Sequence, residues 1–253
     1  MPGKGMTMES TGVSMYGRSL GGELRAAMGR AGAYGTMYPP DYHAQLLRKY
    51  TEKGVRYPHI LMVLGKPRIN HHFFYPALQK RAGKLLDYGC GTGDNVRQLI
   101  RDGYRKERIT AFDIEPDSIG LGFDLYLDRG ALEDLFVVSE KFPFEKRKFD
   151  TVYSASVLHV IADENEFTKY LSNACSALGP GGVFFGSTLG LKEGIPAGSA
   201  GLRGPPRIMA PEELAGHLTA AGFIRPRIIR RHGVPAYVPG SEELCSLEFC
   251  TGT

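Results

Sequence analysis

The sequence contains no tryptophan and only four cysteines. The scarcity of cysteine and the absence of several sequence patterns exclude some classes of protein. The cysteines form no Cys-x-x-Cys pair, which argues against a structural zinc site and for a reducing compartment. No run of about 18 apolar residues is present, so we expect no membrane-spanning helix. The first residues lack the apolar core of a secretory signal, and we therefore expect a cytoplasmic protein.

The sequence also lacks a large excess of charge of either sign, because 31 Lys and Arg residues nearly balance 27 Asp and Glu residues and leave a net charge of +4. A nucleic-acid-binding surface usually appears as a dense basic stripe. The two most basic stretches, residues 145–148 and 225–231, are short, and we interpret both as solvated faces. We therefore expect neither a nucleic-acid partner nor a membrane partner.

The most informative stretch is glycine-rich and reads Lys84-Leu-Leu-Asp-Tyr-Gly-Cys-Gly-Thr-Gly-Asp-Asn95. Two leucines run into an acid and then into glycines at alternate positions, which predicts a buried strand, a tight loop and a helix beginning near Asp94. Glycine lets the backbone approach a ligand closely and adopt a positive φ. The helix N-terminus that follows presents free N–H groups.

The spacing of these glycines, G-x-G-x-G, differs from the dinucleotide fingerprint G-x-G-x-x-G. The carboxylate of Asp87, two residues before the first glycine, would repel a pyrophosphate and attract a cationic amine. The ligand that suits this loop therefore has an ammonium group, a nucleoside and no phosphate, as S-adenosyl-L-methionine (SAM) does. The alternative is an ordinary turn between a strand and a helix.

A second acid supports the cofactor hypothesis. Asp113 ends a short apolar strand and lies twenty residues after Gly93. An acid at that offset can accept two hydrogen bonds from ribose hydroxyls. The alternative is a helix N-cap, a role for which Asp117 competes.

From residue 84 onward, strand and helix patterns alternate, which predicts an α/β fold with a parallel sheet and helices on both faces. The predicted strands are 84–88, 109–113, 135–139, 149–154 and 183–187, followed by a hairpin of 224–230 and 243–250. The predicted helices of this region are 94–102, 118–127, 164–178 and 211–221, and residues 178–182 are predicted to form a sharp turn. Ligands bind at the carboxyl ends of such strands.

The chain before the sheet divides into two predicted regions. Residues 1–36 form a flexible arm, with one short helix at 20–28, through which a homodimer could assemble. Residues 37–83 form a helical and aromatic flap, or N-terminal helical lid, with a helix at 42–53. Its segment 66–76 is both aromatic and basic, and it either covers the active site or packs with its histidines in solvent. The core domain is 84–253.

Four motifs resemble class I SAM-dependent methyltransferases in order and spacing, namely residues 86–93, 112–113, 149–154 and 178–182. The resemblance covers about residues 80–253 and implies a Rossmann-like, seven-stranded sheet whose last strand is antiparallel. It implies that the glycine loop holds the methionine moiety, that Asp113 holds the ribose and that Ser139 and Glu140 face the adenine. The implied cofactor-binding residues are Asp87, Tyr88, Gly89, Cys90, Gly91, Gly93, Asn95, Asp113, Ile114, Ser139, Glu140, Ser154 and Ala155.

Residues 102–114 and 121–129 are similar to fungal secondary-metabolite methyltransferases, which include meroterpenoid-pathway enzymes that esterify a carboxylic acid. This resemblance favours an O-methyltransferase that acts on a small carboxylic acid. The alternatives are a phenol O- or amine N-methyltransferase, an RNA-cap-type methyltransferase and a non-catalytic SAM-binding regulator.

The residues that would serve the acceptor are less well defined by the sequence. A carboxylate is already ionised at pH 7, so it needs orientation rather than a base, whereas a phenol needs a base. His159, just past the fourth strand, is the candidate base or orienting residue, and its alternative is a helix histidine packed beneath the site. No metal is expected. The candidates for binding a substrate carboxylate are Arg68, His71, His72, Tyr75 and Arg203.

Overall fold

The computed structural model describes residues 20–53, 64–195, 207–231 and 242–253. The chain divides into two compact units. The smaller unit contains the described residues up to Pro67 together with residues 91–94 and 115–134. The larger unit contains residues 68–90, 95–114 and the described residues from Leu135 onward.

The larger unit is built on a seven-stranded sheet. Its strands are β1 (Leu85–Tyr88), β2 (Ile109–Asp113), β3 (Phe136–Val138), β4 (Phe149–Ala155), β5 (Leu178–Leu191), β6 (Ile224–Arg231) and β7 (Leu244–Gly252). The strand order is β3-β2-β1-β4-β5-β7-β6. The first five strands in that order are parallel to one another. Strand β7 is antiparallel to both β5 and β6. The predicted fold class, a mostly parallel sheet closed by an antiparallel hairpin, is confirmed.

The helices are α1 (Leu20–Gly32), α2 (Tyr42–Lys53), α3 (Tyr75–Leu78), α4 (Asp94–Arg101), α5 (Pro116–Tyr126), α6 (Arg129–Leu132), α7 (Glu164–Ala177) and α8 (Pro211–Ala220). Their starts follow local chemistry. Asp163 caps α7 by accepting a hydrogen bond from the Glu166 N–H at 2.9 Å. Proline begins α5 and α8, where its missing N–H costs nothing. Among the helices that the structure describes, none combines the length and apolar character needed to span a bilayer.

Strand β5 differs most from the sequence-based prediction. The predicted turn at 178–182 is the irregular beginning of this strand, with a register shift against β4. The strand then continues four residues past its predicted end at 187 to Leu191, because β7 pairs with it from Val183 to Leu191. Gly186 lies within the predicted strand 183–187. In the sheet it permits close strand approach, since a Cβ there would lie 1.7 Å from the carbonyl oxygen of Ser154.

The smaller unit packs α1, α2 and α5 around a leucine-rich core. Hydrogen bonds from three tyrosine hydroxyls connect α2 and the residues before it to α5. Tyr50 donates to the carboxylate of Asp124 at 2.8 Å, and Tyr42 donates to the Asp124 carbonyl at 2.6 Å. Tyr38 donates to the carbonyl of Leu125 at 2.6 Å, and burial raises the pKa of Tyr38 to about 12. The predicted division into arm, flap and core stays a prediction.

Replacing Asp124 with alanine should lower the free energy of unfolding by about 2 kcal/mol, because the buried Tyr50 hydroxyl loses its charged acceptor. Lys49 Nζ also lies 2.5 Å from this carboxylate, but its side chain is 51% exposed. Lys49→Met should therefore cost less than about 0.5 kcal/mol. Urea denaturation of both variants tests the assignment, and equal losses would contradict it.

Candidate active site

The glycine loop follows β1, and its backbone requires glycine. The three glycines have φ values of +77°, +55° and +74° at Gly89, Gly91 and Gly93, respectively. The N–H groups of Gly89 and Cys90 donate to the carbonyl of Phe112 at 2.8 and 3.1 Å, which ties the loop to β2. A Cβ on Gly89 would lie 2.3 Å from Cγ2 of Val157. No side chain other than hydrogen fits at position 89 in this arrangement.

Two acids end neighbouring strands beside this loop. Asp87 at the end of β1 is 1% exposed, and Asp113 at the end of β2 is half-buried. Burial raises the pKa of the Cys90 thiol well above its ordinary value, and the charges of Asp113 and Asp87 raise it further. Both carboxylates therefore act on the same point of the loop. A negative potential at this point suits a ligand with a cationic amine or sulfonium.

The residues after Asp113 continue the site with an apolar surface. Ile114 is 62% exposed, which is unusual for a large aliphatic side chain and suits the flat face of a nucleobase. Ser139 is half-buried and accepts a hydrogen bond from the Lys141 N–H at 3.2 Å, and Glu140 is exposed. The acids, the glycine-only position and the exposed isoleucine together fit the charge and shape of SAM.

Two predicted cofactor residues support the loop from the core instead of presenting side chains to a ligand. Tyr88 stacks on Tyr170 of α7 with ring centroids 3.9 Å apart, and its carbonyl accepts from the Tyr170 hydroxyl at 2.8 Å. The Ser154 hydroxyl lies 2.8 Å from the same Tyr170 oxygen. Successive strand side chains point to opposite faces, so Tyr88 and Ser154 point away from the face of Asp87. Half-buried Ala155 ends β4.

Asn95, also predicted to bind the cofactor, has a different role in the structure. Its side-chain oxygen accepts hydrogen bonds from the N–H groups of Arg68 and Ile69 at 2.9 and 3.2 Å. This amide therefore positions the segment that carries Arg68. The Arg68 guanidinium in turn donates to the hydroxyl of Ser156, just beyond β4.

Two of the other predicted carboxylate-binding residues, His72 and Tyr75, form hydrogen bonds with the core of the larger unit. His72 is 3% exposed, donates from Nε2 to the Gly186 carbonyl at 2.9 Å and accepts at Nδ1 from the Phe74 N–H at 3.1 Å. Burial lowers its pKa, so it is a neutral core residue with both nitrogens bonded. Tyr75 is also buried and donates to Asp102. Both side chains thus have hydrogen-bond partners within the core, and their role in carboxylate binding stays a prediction.

Two further candidates for carboxylate binding also remain as predictions. His71 is exposed in the single 3₁₀ turn that precedes His72. Arg203 lies outside the described residues.

His159 lies in a short 3₁₀ turn, Leu158–Val160, between β4 and α7. Its Nδ1 accepts a hydrogen bond from the Leu189 N–H at 3.4 Å and lies 3.2 Å from the hydroxyl of Thr188, which is 2% exposed. A backbone N–H can only donate, so this contact favours the tautomer with the ring proton on Nε2. In this tautomer Nε2 carries the ring N–H group.

The supporting residues Tyr170, Ser156 and Thr188 carried no sequence signal. Ser156 and Thr188 lie just beyond the predicted ends of strands four and five, and Tyr170 is one of several aromatic residues on a helix. Contacts between distant segments bring Tyr170 to Tyr88, Ser156 to Arg68 and Thr188 to His159. A pattern of local residues could not have identified them.

The comparisons with known proteins agree with this geometry. Methyltransferase ausD of Penicillium brasilianum is 35% identical over 97 residues, covering 35% of this chain and 35% of the relative. O-methyltransferase atr3 of Stereocaulon alpinum is 30% identical over 151 residues, covering 53% of this chain and 43% of the relative. The matched part of the chain thus spans less than half of each relative.

A solved structure shows the same fold. Phosphoethanolamine N-methyltransferase 2 of Haemonchus contortus, in complex with phosphomonomethylethanolamine and S-adenosylhomocysteine, gives a TM-score of 0.52 at 16% identity. The similarity covers 67% of this chain and 49% of that chain. The family described as Methyltransferase domain matches residues 65–223, which is more than half of the 253 residues. The chain therefore belongs to the Methyltransferase domain family and resembles its fungal secondary-metabolite members.

Proposed function

We propose that this chain is a methyltransferase that converts a small carboxylic acid to its methyl ester. The cofactor is S-adenosyl-L-methionine, as the glycine loop predicted. When bound, SAM supplies a methyl group activated by its sulfonium. Asp87, Gly89 and Cys90 would hold its methionine moiety, Asp113 its ribose and Ile114 its adenine.

The backbone contact at Nδ1 of His159 is the observation that carries the choice of acceptor. With Nδ1 accepting from the Leu189 N–H, the other ring nitrogen holds the proton and cannot remove one from an acceptor. A phenol or an ammonium must lose a proton before methylation. A carboxylate, with a pKa of about 4, is already an anion at pH 7 and needs only a donor that orients it.

Arg68 supports the same choice through charge. Its guanidinium is half-buried at the carboxyl end of β4 and donates to the Ser156 hydroxyl. No described carboxylate lies within ion-pair distance of it. Arginine pairs with carboxylates through two parallel hydrogen bonds, so the carboxylate of an acidic acceptor could form an ion pair with Arg68.

The proposed function is tested by transfer of labelled methyl from SAM to a panel of small mono- and dicarboxylic acids, phenols and amines. A product that forms only from acids and is labile in mild base would establish esterification. Transfer to phenols or amines alone would contradict the carboxyl acceptor and would favour His159 as a base. SAM binding without transfer to any of these would indicate a macromolecular acceptor or a regulator.

Substitution of His159 separates an orienting donor from a base. His159→Gln keeps an N–H donor and removes any base, so kcat/KM for the acid should stay within about tenfold of the wild type. His159→Ala removes the donor, and kcat/KM should fall by about 10- to 100-fold, because a hydrogen bond to a charged group is lost. Steady-state kinetics measures both. Equal losses of several hundredfold in the two variants would show general-base catalysis instead.

A further inference from the structure

Tyr153 is a fully buried polar residue for which neither the fold nor the proposed function provides a role. It lies in β4 and is 0% exposed. Among the residues that the structure describes, its hydroxyl has no hydrogen-bond partner. Buried hydroxyl groups in proteins are almost always paired with protein, water or ligand. The hydroxyl of Tyr153 therefore has the capacity to bond a polar group of a ligand, and its neighbours decide whether one fits there.

The sheet register places Tyr153 beside the cofactor acid. Tyr153 pairs with Asp87 on β1 and with Phe185 on β5, and paired side chains of neighbouring strands point to the same face. Its ring lies 4.8 Å from the ring of Phe185. Burial first and then the Asp87 charge raise the pKa of the Tyr153 hydroxyl, whereas the Arg68 charge lowers it. The phenol of Tyr153 is thus a neutral donor, and the charges of Asp87 and Arg68 both act on it.

The guanidinium of Arg68 is held in place from both ends. Its backbone N–H donates to the side chain of Asn95, and its Nη1 donates to the hydroxyl of Ser156. Ser156 is itself tied to β5, since its N–H donates to the Ser187 carbonyl at 2.8 Å. A guanidinium has five N–H groups, and the contact with Ser156 uses only one nitrogen. The others can bind an anion.

We propose that Tyr153, Arg68 and Ser156 form a carboxylate-binding subsite at the carboxyl end of β4. Two ligands of the protein can supply the carboxylate, namely the methionine end of the cofactor and an acidic acceptor. Asp87 beside Tyr153 suits the ammonium of an α-amino acid, so this set of charges complements a zwitterion. Binding of the cofactor carboxylate does not depend on which acceptor is methylated. Binding of an acceptor carboxylate rests on the proposed function.

The cofactor source is tested with S-adenosylhomocysteine (SAH) and its decarboxylated analogue in titration calorimetry. For a subsite that binds the cofactor carboxylate, Tyr153→Phe should weaken SAH binding about tenfold and leave binding of the analogue unchanged. Arg68→Lys keeps a positive charge but loses the bidentate contact with a carboxylate. It should therefore also weaken SAH binding and leave binding of the decarboxylated analogue unchanged.

Thr151 provides a matched control on the same strand. It lies two residues earlier on the same face of β4, is 0% exposed and also has a hydroxyl without a described partner. Thr151→Val should leave the affinity for both ligands unchanged. Removal of an unpaired buried hydroxyl should not destabilise the fold, so apo Tyr153→Phe should melt no earlier than the wild type.

The acceptor source is tested by kinetics with an acid that the protein methylates. Unchanged SAH binding together with an about tenfold higher KM for the acid in Tyr153→Phe would assign the subsite to the acceptor. If no acid is methylated but the SAH discrimination is lost, the proposed function fails and the subsite stands. If Tyr153→Phe and Arg68→Lys change neither SAH discrimination nor the KM of an acid, the subsite does not exist.

Discussion

Replacing Asp113 with alanine should weaken SAH binding by about 100-fold. The carboxylate at the end of β2 would accept two hydrogen bonds from the ribose, and hydrogen bonds to charged groups contribute about 1.5–3 kcal/mol each. A loss of about 2.8 kcal/mol corresponds to a hundredfold change in the dissociation constant. Titration calorimetry measures this change directly, and unchanged SAH affinity would show that Asp113 does not hold the ribose.

Two further variants show whether the effect belongs to the ribose contact. Asp113→Asn keeps the size and one acceptor, so it should lose about tenfold in affinity. Asp117, in the first turn of α5, carries the same charge four residues later, and Asp117→Ala should leave SAH binding unchanged. The suggestion that Asp113 caps the helix is wrong, because the N-cap residue of α5 is Glu115.

The parts of the site that could be predicted from the sequence are the parts whose chemistry is local. A buried leucine pair followed by an acid and alternating glycines defines a strand, a loop and a helix start within twelve residues. Each step needs only short-range sterics, because positive φ values require glycine and a helix start requires free N–H groups. The observed β1, the loop and α4 accordingly begin and end within one residue of the prediction.

The parts that could not be predicted depend on contacts between distant segments. His71 and His72 are equivalent in the sequence, yet one is exposed and the other is buried against Phe185. Tyr153 lies beside Asp87 only because β4 pairs with β1, and Arg68 reaches Ser156 across 88 positions of the chain. Strand register and the packing of segments determine such contacts, and neither can be predicted from a short stretch of sequence.

Gly89→Ala is expected to destabilise the fold and the cofactor site together. A non-glycine residue at a φ of +77° costs about 1–2 kcal/mol. The new Cβ would also lie 2.3 Å from Cγ2 of Val157, and such overpacking costs about 1–3 kcal/mol. The free energy of unfolding should therefore fall by about 3 kcal/mol, measured in urea. SAH affinity should fall at least about tenfold, because the loop must move away from Val157.

Gly103 separates the two causes, because its φ is +89° and nothing lies within 4 Å of a Cβ placed there. Gly103→Ala should therefore lose only the backbone part, about 1–2 kcal/mol, and should bind SAH normally. Val157→Ala in the Gly89→Ala background should restore part of the lost stability by removing the clash. If Gly89→Ala costs no more than Gly103→Ala, Val157 does not confine the loop, and the requirement for glycine at position 89 comes from its backbone angle alone.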